Sequence, residues 1–212
     1  MTDLQKDNVA IAILVLLYVG GLAALWFDVH PNFILLTPVN LLISFGLMLW
    51  RHPTKDRALW TFVSLCYTAG FVVEIAGVQT GLIFGEYEYG KVLGIKLWDT
   101  PLLIGVNWVI LVYASAVMVD FLCGNMHLLL RIALAAAIMV MLDVLIEPVA
   151  VAFGFWSWER GIIPLQNYIA WYILAFALIA LFYKLKGRIF NKAALVLLTL
   201  QFLFFGILNI SI

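Results

Sequence analysis

The chain alternates long apolar runs with short charged stretches, and the pattern recurs seven times. Asn8–Phe27 and Pro31–Trp50 carry no charge at all. A third run begins at Ala58 and continues past Glu74 towards Ile83. The fourth covers Thr100–Val119, and the fifth extends from about His127 to Phe155 with Asp143 and Glu147 inside it. Asn167–Tyr183 and Ala193–Ile212 complete the series. A helix needs about 20 mostly apolar residues to cross about 30 Å of hydrocarbon. Six of the runs meet that length, and the sixth in order does so if it starts near Leu165. They read as helices because an open sheet cannot satisfy its backbone groups in lipid, and the alternation of barrel strands is absent. The pattern predicts an all-α polytopic membrane protein, with about seven transmembrane helices in a single bundle and one domain over 1–212.

The connections are short, so neighbouring helices are expected to pack antiparallel. The exception is Gly81–Pro101, with four glycines among Tyr87, Tyr89 and Trp98. It is too polar to cross a membrane and too apolar for a free linker, so an ordered outer-side loop between helices three and four is expected at 81–101. Seven spans place the N-terminus on the side that collects nine of the twelve Lys and Arg residues, from Lys6 to Lys192. The other side holds Lys91, Lys96 and Arg160. The positive-inside rule then predicts a cell-membrane protein with its N-terminus cytoplasmic and its C-terminus outside.

Composition agrees: 66% of residues are hydrophobic and 11% charged, against about 25% charged in a soluble domain. The 12 basic and 12 acidic residues balance, which leaves no basic excess for nucleic acid. Cys66 and Cys123 have neither disulfide-framework nor metal spacing and read as buried small hydrophobes. Val9–Phe27 is too long for the h-region of a signal peptide.

Ionisable groups inside spans are costly and usually functional. Glu74, Asp143 and Glu147 are therefore the first candidates. Asp143 and Glu147 are four apart and share a helix face, where like charges repel. Counting from the basic ends of their helices places Glu74 towards the outer half of the membrane, Asp143 near its middle or just beyond, and Glu147 one turn further out. Asn107 on helix four, and Asn167 and Trp171 at the start of helix six, fall in the same layer. The outer loop brings Glu86, Glu88, Tyr89 and Asp99 to its rim. Each has a plainer alternative: a packing network for the acids and amides, interface anchoring for Trp156, Trp158 and Trp171. Pro148 is expected to bend helix five after Glu147. Asp120, near His127 and Arg131, reads as a salt-bridged boundary residue.

Metal and cofactor signals are weak. His30, His52 and His127 have no paired spacing, no glycine-rich loop follows a strand, and no paired Asp-rich motifs occur. The expectation is no metal and no cofactor. Carboxyl groups, amides and aromatics together suit proton transfer to an apolar substrate. An acid in an apolar setting can protonate an alkene, and aromatic faces with a carboxylate can stabilise the resulting tertiary cation. Admitting water gives hydration, and excluding it gives cyclisation. Proton or ion transport uses the same residues, and the chemistry alone leaves these alternatives open.

Three blocks carry a resemblance. EIAGVQTGLIFGEYEYGKVLGIKLWDTPLLIGVNWVILVYA (Glu74–Ala114), MLDVLIEPVAVAFGFWSW (Met141–Trp158) and GIIPLQNYIAWY (Gly161–Tyr172) resemble the integral-membrane carotenoid biosynthesis family. That family includes carotenoid hydratases of the bisanhydrobacterioruberin hydratase kind, acting on acyclic end groups. In the third block the family pattern often has Gly where this chain has Ala170. The resemblance covers helices three to six and implies a cofactor-independent hydratase that adds water across C1 and C2 of an end group, leaving a tertiary alcohol. It implies an acyclic carotenoid, lycopene-like or a C50 precursor, and water as reactants. Membrane lipid would surround the protein, with other carotenoid-pathway enzymes as candidate neighbours. Within these blocks the expected catalytic residues are Asp143 or Glu147 as proton donor and Glu74 as cation stabiliser or water-orienting base. Glu86, Tyr89, Trp98, Asp99, Asn107, Asn167 and Trp171 are the expected site lining. A lycopene-type cyclase, or a non-enzymatic carotenoid-binding or proton-coupled transport protein, is the alternative.

Overall fold

The computed structural model describes residues 1–212. Seven α-helices follow in order: α1 Asp3–Trp26, α2 Thr37–Trp50, α3 Arg57–Thr80, α4 Leu103–Cys123, α5 Leu128–Ala152, α6 Leu165–Lys186 and α7 Lys192–Leu208. Local chemistry sets many of their ends. Thr2 and Gln5 form a capping box before α1. Asp56, His127 and Asn191 each accept a backbone N–H at the start of α3, α5 and α7. Gly81 closes α3 at φ +65°.

Six spans are long and apolar enough to cross a membrane, the second beginning with the 3-10 turn Phe33–Leu36 that leads into α2. The seventh run is shorter than its sequence suggests. α7 stops at Leu208, and Asn209 turns its amide onto the carbonyls of Phe205 and Leu145 instead of extending the helix. The protein is a multi-pass, all-α membrane protein, and much of its outer surface is exposed Leu, Ile, Val and Phe.

α4 is the axis of the bundle. It packs against α2, α3, α5, α6 and α7, and most of its residues are buried. Close approach is possible where a side chain is missing. A Cβ on Gly70 of α3 would lie 2.5 Å from Trp108 Cγ, so Trp108 packs directly over the α3 backbone.

The loop 81–101 carries three short strands. Its strand β1, Tyr87–Tyr89, pairs antiparallel with a strand from the connection between α5 and α6. Two further strands, β2 Lys96–Leu97 and β3 Thr100–Pro101, form a tight hairpin through Trp98 and Asp99, both at positive φ. The partner of β1 is β4, Trp156–Trp158, with Tyr87 opposite Trp158 and Tyr89 opposite Trp156. Gly90 extends this pairing by donating to the Phe155 carbonyl at 2.8 Å. It lies too close to Gly154 to carry a side chain.

The opposite end of the bundle carries most of the basic residues. Arg51 bridges to Asp7 at 2.7 Å and Lys186 to Asp56 at 2.7 Å. Lys186 and the Leu59 N–H hold the Asp56 carboxyl down at about 2. Arg131 pairs with Asp120 at 2.5 Å, and its guanidinium lies over the Tyr183 ring. His52 is buried and meets the Tyr113 hydroxyl at 2.7 Å. Burial, and then Lys186, push His52 down from 6.5 to about 4. The folded protein therefore keeps this ring neutral where the unfolded chain would protonate it. Its contribution to stability is complete above about pH 6.5 and is lost as pH falls through about 4. Thermal unfolding in detergent between pH 7 and 4 should show this loss, and the profile of His52→Gln should be flatter across that window.

Candidate functional site

Four elements bring polar groups together at the end that carries the paired strands. α3 supplies Glu74, two turns before its Gly81 cap. α5 supplies Asp143 and Glu147 on one face, and its helix runs on through Pro148 to Ala152. The first turn of α6 supplies Asn167, whose amide donates to Asp143 Oδ2 at 3.1 Å and to Glu147 Oε1 at 3.2 Å. α4 supplies Trp108, whose indole N–H donates to Glu74 Oε1 at 2.9 Å. All five side chains are buried.

The β1–β4 ribbon covers them. Side chains alternate along a strand, so Tyr87, Tyr89, Trp156 and Trp158 share one face while Glu88 and Ser157 pair on the other. Every member of the inner face donates to a buried acid. Tyr87 and Tyr89 reach Glu74 Oε2 at 2.6 and 2.9 Å. Trp156 and Trp158 reach Glu147 Oε2 at 2.9 and 2.8 Å. Burial, reinforced by the nearby Glu74, pushes both phenols well above their usual range, which keeps them protonated as donors. The rings interlock, with Tyr87 and Trp158 centroids 5.0 Å apart and Tyr89 and Trp156 5.9 Å apart.

A cavity of about 30 Å³ lies among these groups, lined by Glu74, Asp143, Glu147, Asn107, Asn167 and Trp171 with the ribbon aromatics. That is room for one or two water molecules. Trp171 stacks on Trp108 at 4.4 Å. Beside it opens an apolar cleft of about 100 Å³ between α1, α2, α4, α5 and α7. The two spaces share Ile104, Asn107, Ile146 and Trp156 as a common wall.

The family model for carotenoid biosynthesis proteins matches residues 33–212. The chain belongs to this family. A relative within reach by sequence is the bisanhydrobacterioruberin hydratase of Haloarcula japonica, 31% identical over 136 residues. That alignment covers 61% of this chain and 46% of the relative, so this chain matches less than half of that protein's length. No solved structure matches.

The candidate residues of this family member divide into two groups. Glu74, Tyr89, Asn107, Asp143, Glu147, Asn167 and Trp171 line one cavity. Glu86, Trp98 and Asp99 do not reach it. Glu86 sits out of phase with the inward tyrosines, exposed beside Glu159, which raises its carboxyl. Trp98 and Asp99 form the exposed tip of the β2–β3 hairpin, where the Gln79 amide bonds to both. Sequence reasoning placed no weight on Trp108 and Tyr87, and assigned Trp156 and Trp158 first to interface anchoring. Two signals were available. An indole N–H inside an apolar helix requires an acceptor, and the spacings Tyr-x-Tyr and Trp-x-Trp place each pair on one strand face.

Trp108→Phe keeps an aromatic ring but removes the indole N–H donor to Glu74. Leaving a buried carboxyl oxygen without its donor costs about 1–3 kcal/mol, so the variant should unfold several degrees lower in detergent. Gly70→Val, which displaces the whole ring, should be worse than Trp108→Phe in the same measurement.

Proposed function

We propose that this protein is a carotenoid hydratase, in which the cavity protonates a terminal trisubstituted double bond of an acyclic carotenoid and adds water to it. One observation carries the assignment of roles. The three acids have six carboxyl oxygens, and five accept hydrogen bonds from protein donors. Asp143 Oδ1 is the sixth and has none. A carboxyl oxygen without a donor is where a transferable proton can reside, so Asp143 is the general acid.

The steps follow from that placement. The polyene lies in the apolar cleft, and its end group passes the shared wall of Asn107, Ile146 and Trp156 to reach the acids. Asp143 gives its proton to C2, and the π electrons form the new C–H bond, leaving a tertiary cation at C1. Glu74, fixed by three donors, supplies a negative pole, and the Trp108–Trp171 stack and Trp156 present aromatic faces. A water held near Asn107 and Asn167 attacks C1. The oxonium returns its proton to Asp143, so the acid is regenerated and the sum is addition of one water. The donors to Glu74 and Glu147 are in place before substrate arrives, so little reorganisation accompanies the charge.

Family membership, the hydratase relative and room for water beside an apolar cleft support this reading. Expression in a lycopene-producing host, with mass and absorption analysis of the extracted pigment, tests it. The expected product is linear and heavier by one water per end group processed. A cyclic isomer of unchanged mass would select a cyclase instead, and unchanged pigment retained by the purified protein would select a binding role. Asp143→Asn should lower the initial rate about a hundredfold or more. If it retains full turnover, Asp143 is not the acid.

The basic end of the bundle carries Arg51, Lys55, Lys186 and Lys192, and we assign it to the cytoplasmic side of the cell membrane. The N-terminus is then inside, the C-terminus outside, and the acid site in the outer half. A reporter enzyme that is active only outside the cytoplasm should be active at the C-terminus and silent at the N-terminus.

A further inference from the structure

A second polar recess lies at the basic end, away from the acid cavity. α2 and α7 are the two shortest helices. His52, just after α2, and Asn191, just before α7, both reach Tyr113 in the middle of α4. The ends of these two helices are thus sunk into the bundle, which leaves a hollow of about 450 Å³. Its lining includes Lys6, Arg51, Lys55, Lys192, His52 and Asn191. Two carboxylates, Asp3 and Asp7, also line it, and both are engaged: Asp7 with Arg51, Asp3 with Lys6 and Arg51. Lys192 pairs with no acid. It sits in the first turn of α7, where the positive end of the helix dipole disfavours a cation unless an anion is near.

The hydrogen-bond network fixes what His52 offers this hollow. The Ala194 N–H donates to Asn191 Oδ1 at 3.2 Å, and Asn191 Nδ2 donates to the Met48 carbonyl at 2.9 Å. A backbone donor and a backbone acceptor therefore set the orientation of the Asn191 amide. The same Nδ2 donates to the Tyr113 hydroxyl at 2.9 Å. The hydroxyl's own proton then goes to His52 Nδ1 at 2.7 Å. A neutral imidazole that accepts at Nδ1 carries its proton at Nε2. His52 is 4% exposed and its Nε2 has no partner. A buried N–H without an acceptor is costly, and His52 is one of the residues lining a hollow with four cations to two engaged carboxylates.

We infer that this recess binds a phosphoryl oxyanion, with His52 Nε2–H as a fixed donor and Lys55 and Lys192 as its counter-charges. A phosphoryl group has several acceptor oxygens and at least one full charge, so it can take the N–H and both ammonium groups together. Such a group reaches this face either on the headgroup of an anionic lipid or as free phosphate.

Thermal unfolding of the full chain in detergent micelles tests the inference at constant ionic strength. The additives are short-chain phosphatidylglycerol, short-chain phosphatidylcholine, inorganic phosphate and acetate. Saturable stabilisation is expected, about 5–10 °C at about a hundred times Kd. A rise with phosphatidylglycerol and none with phosphate assigns the site to a lipid headgroup, and a rise with inorganic phosphate assigns it to a free anion. Lys55→Gln/Lys192→Gln changes two exposed side chains and should keep the melting point of the additive-free protein while losing at least half of the rise. The inference is overturned if neither phosphate-bearing anion stabilises beyond acetate. A double variant that responds like the unmodified protein overturns it equally.

Discussion

A carboxyl group inside an apolar bundle must be given hydrogen-bond donors, and the site's architecture follows from meeting that need for Glu74 and Glu147. Helices facing lipid have no spare backbone donors in mid-span, so the donors come from side chains. Here one comes from the neighbouring α4, as Trp108, one from the first turn of α6, as Asn167, and four from the β1–β4 ribbon. Two connecting loops far apart in sequence are thereby tied to each other and to the acids beneath them. The aromatic donors have a second consequence. Each brings a ring face as well as an N–H or O–H, so the groups that hold the carboxyls in place also surround the cavity with π surface.

The space next to the acids is divided in the way that the proposed hydration requires. The cavity is of water size and holds the carboxyl and amide groups, while the cleft is apolar and larger. They meet at a wall in which Asn107 is the polar member beside Ile104, Ile146 and Trp156. An apolar chain can approach from one side of that wall and a water molecule can wait on the other. In the proposed reaction, the occupant of that small space would decide whether water or a neighbouring double bond meets the cation.

The two ends of the bundle are built on different chemistry. One end gathers carboxyls under neutral aromatic donors. The other gathers cations around a neutral imidazole, and its ion pairs, Arg51–Asp7, Lys186–Asp56 and Arg131–Asp120, tie α2 to α1, α6 to α3 and α5 to α4. α4 connects both ends, with Trp108 facing the acids and Tyr113 holding His52 and Asn191. Its burial on nearly every side makes it the element against which both sites are positioned.

Much of this was legible in the chain. Seven apolar runs determine seven helices, because backbone groups in lipid leave no other solution. Glu74, Asp143 and Glu147 stand out because charge is expensive there, and their depth follows from counting residues from the basic ends. Asn167 and Trp171 fall in the same layer by the same count. The lateral arrangement was not legible, since depth along a helix says nothing about its rotation or its neighbours. The pairing of β1 with β4 joins residues about seventy positions apart, and only that pairing turns Tyr87, Tyr89, Trp156 and Trp158 into donors. The same alternation turns Glu86 away to water. Trp108 reaches Glu74 because Gly70 leaves room for its ring, and Asp143 differs from the other acids in having one oxygen without a protein donor. Sequence fixes which groups must be satisfied, whereas the partner that satisfies each depends on contacts between distant segments that only packing creates.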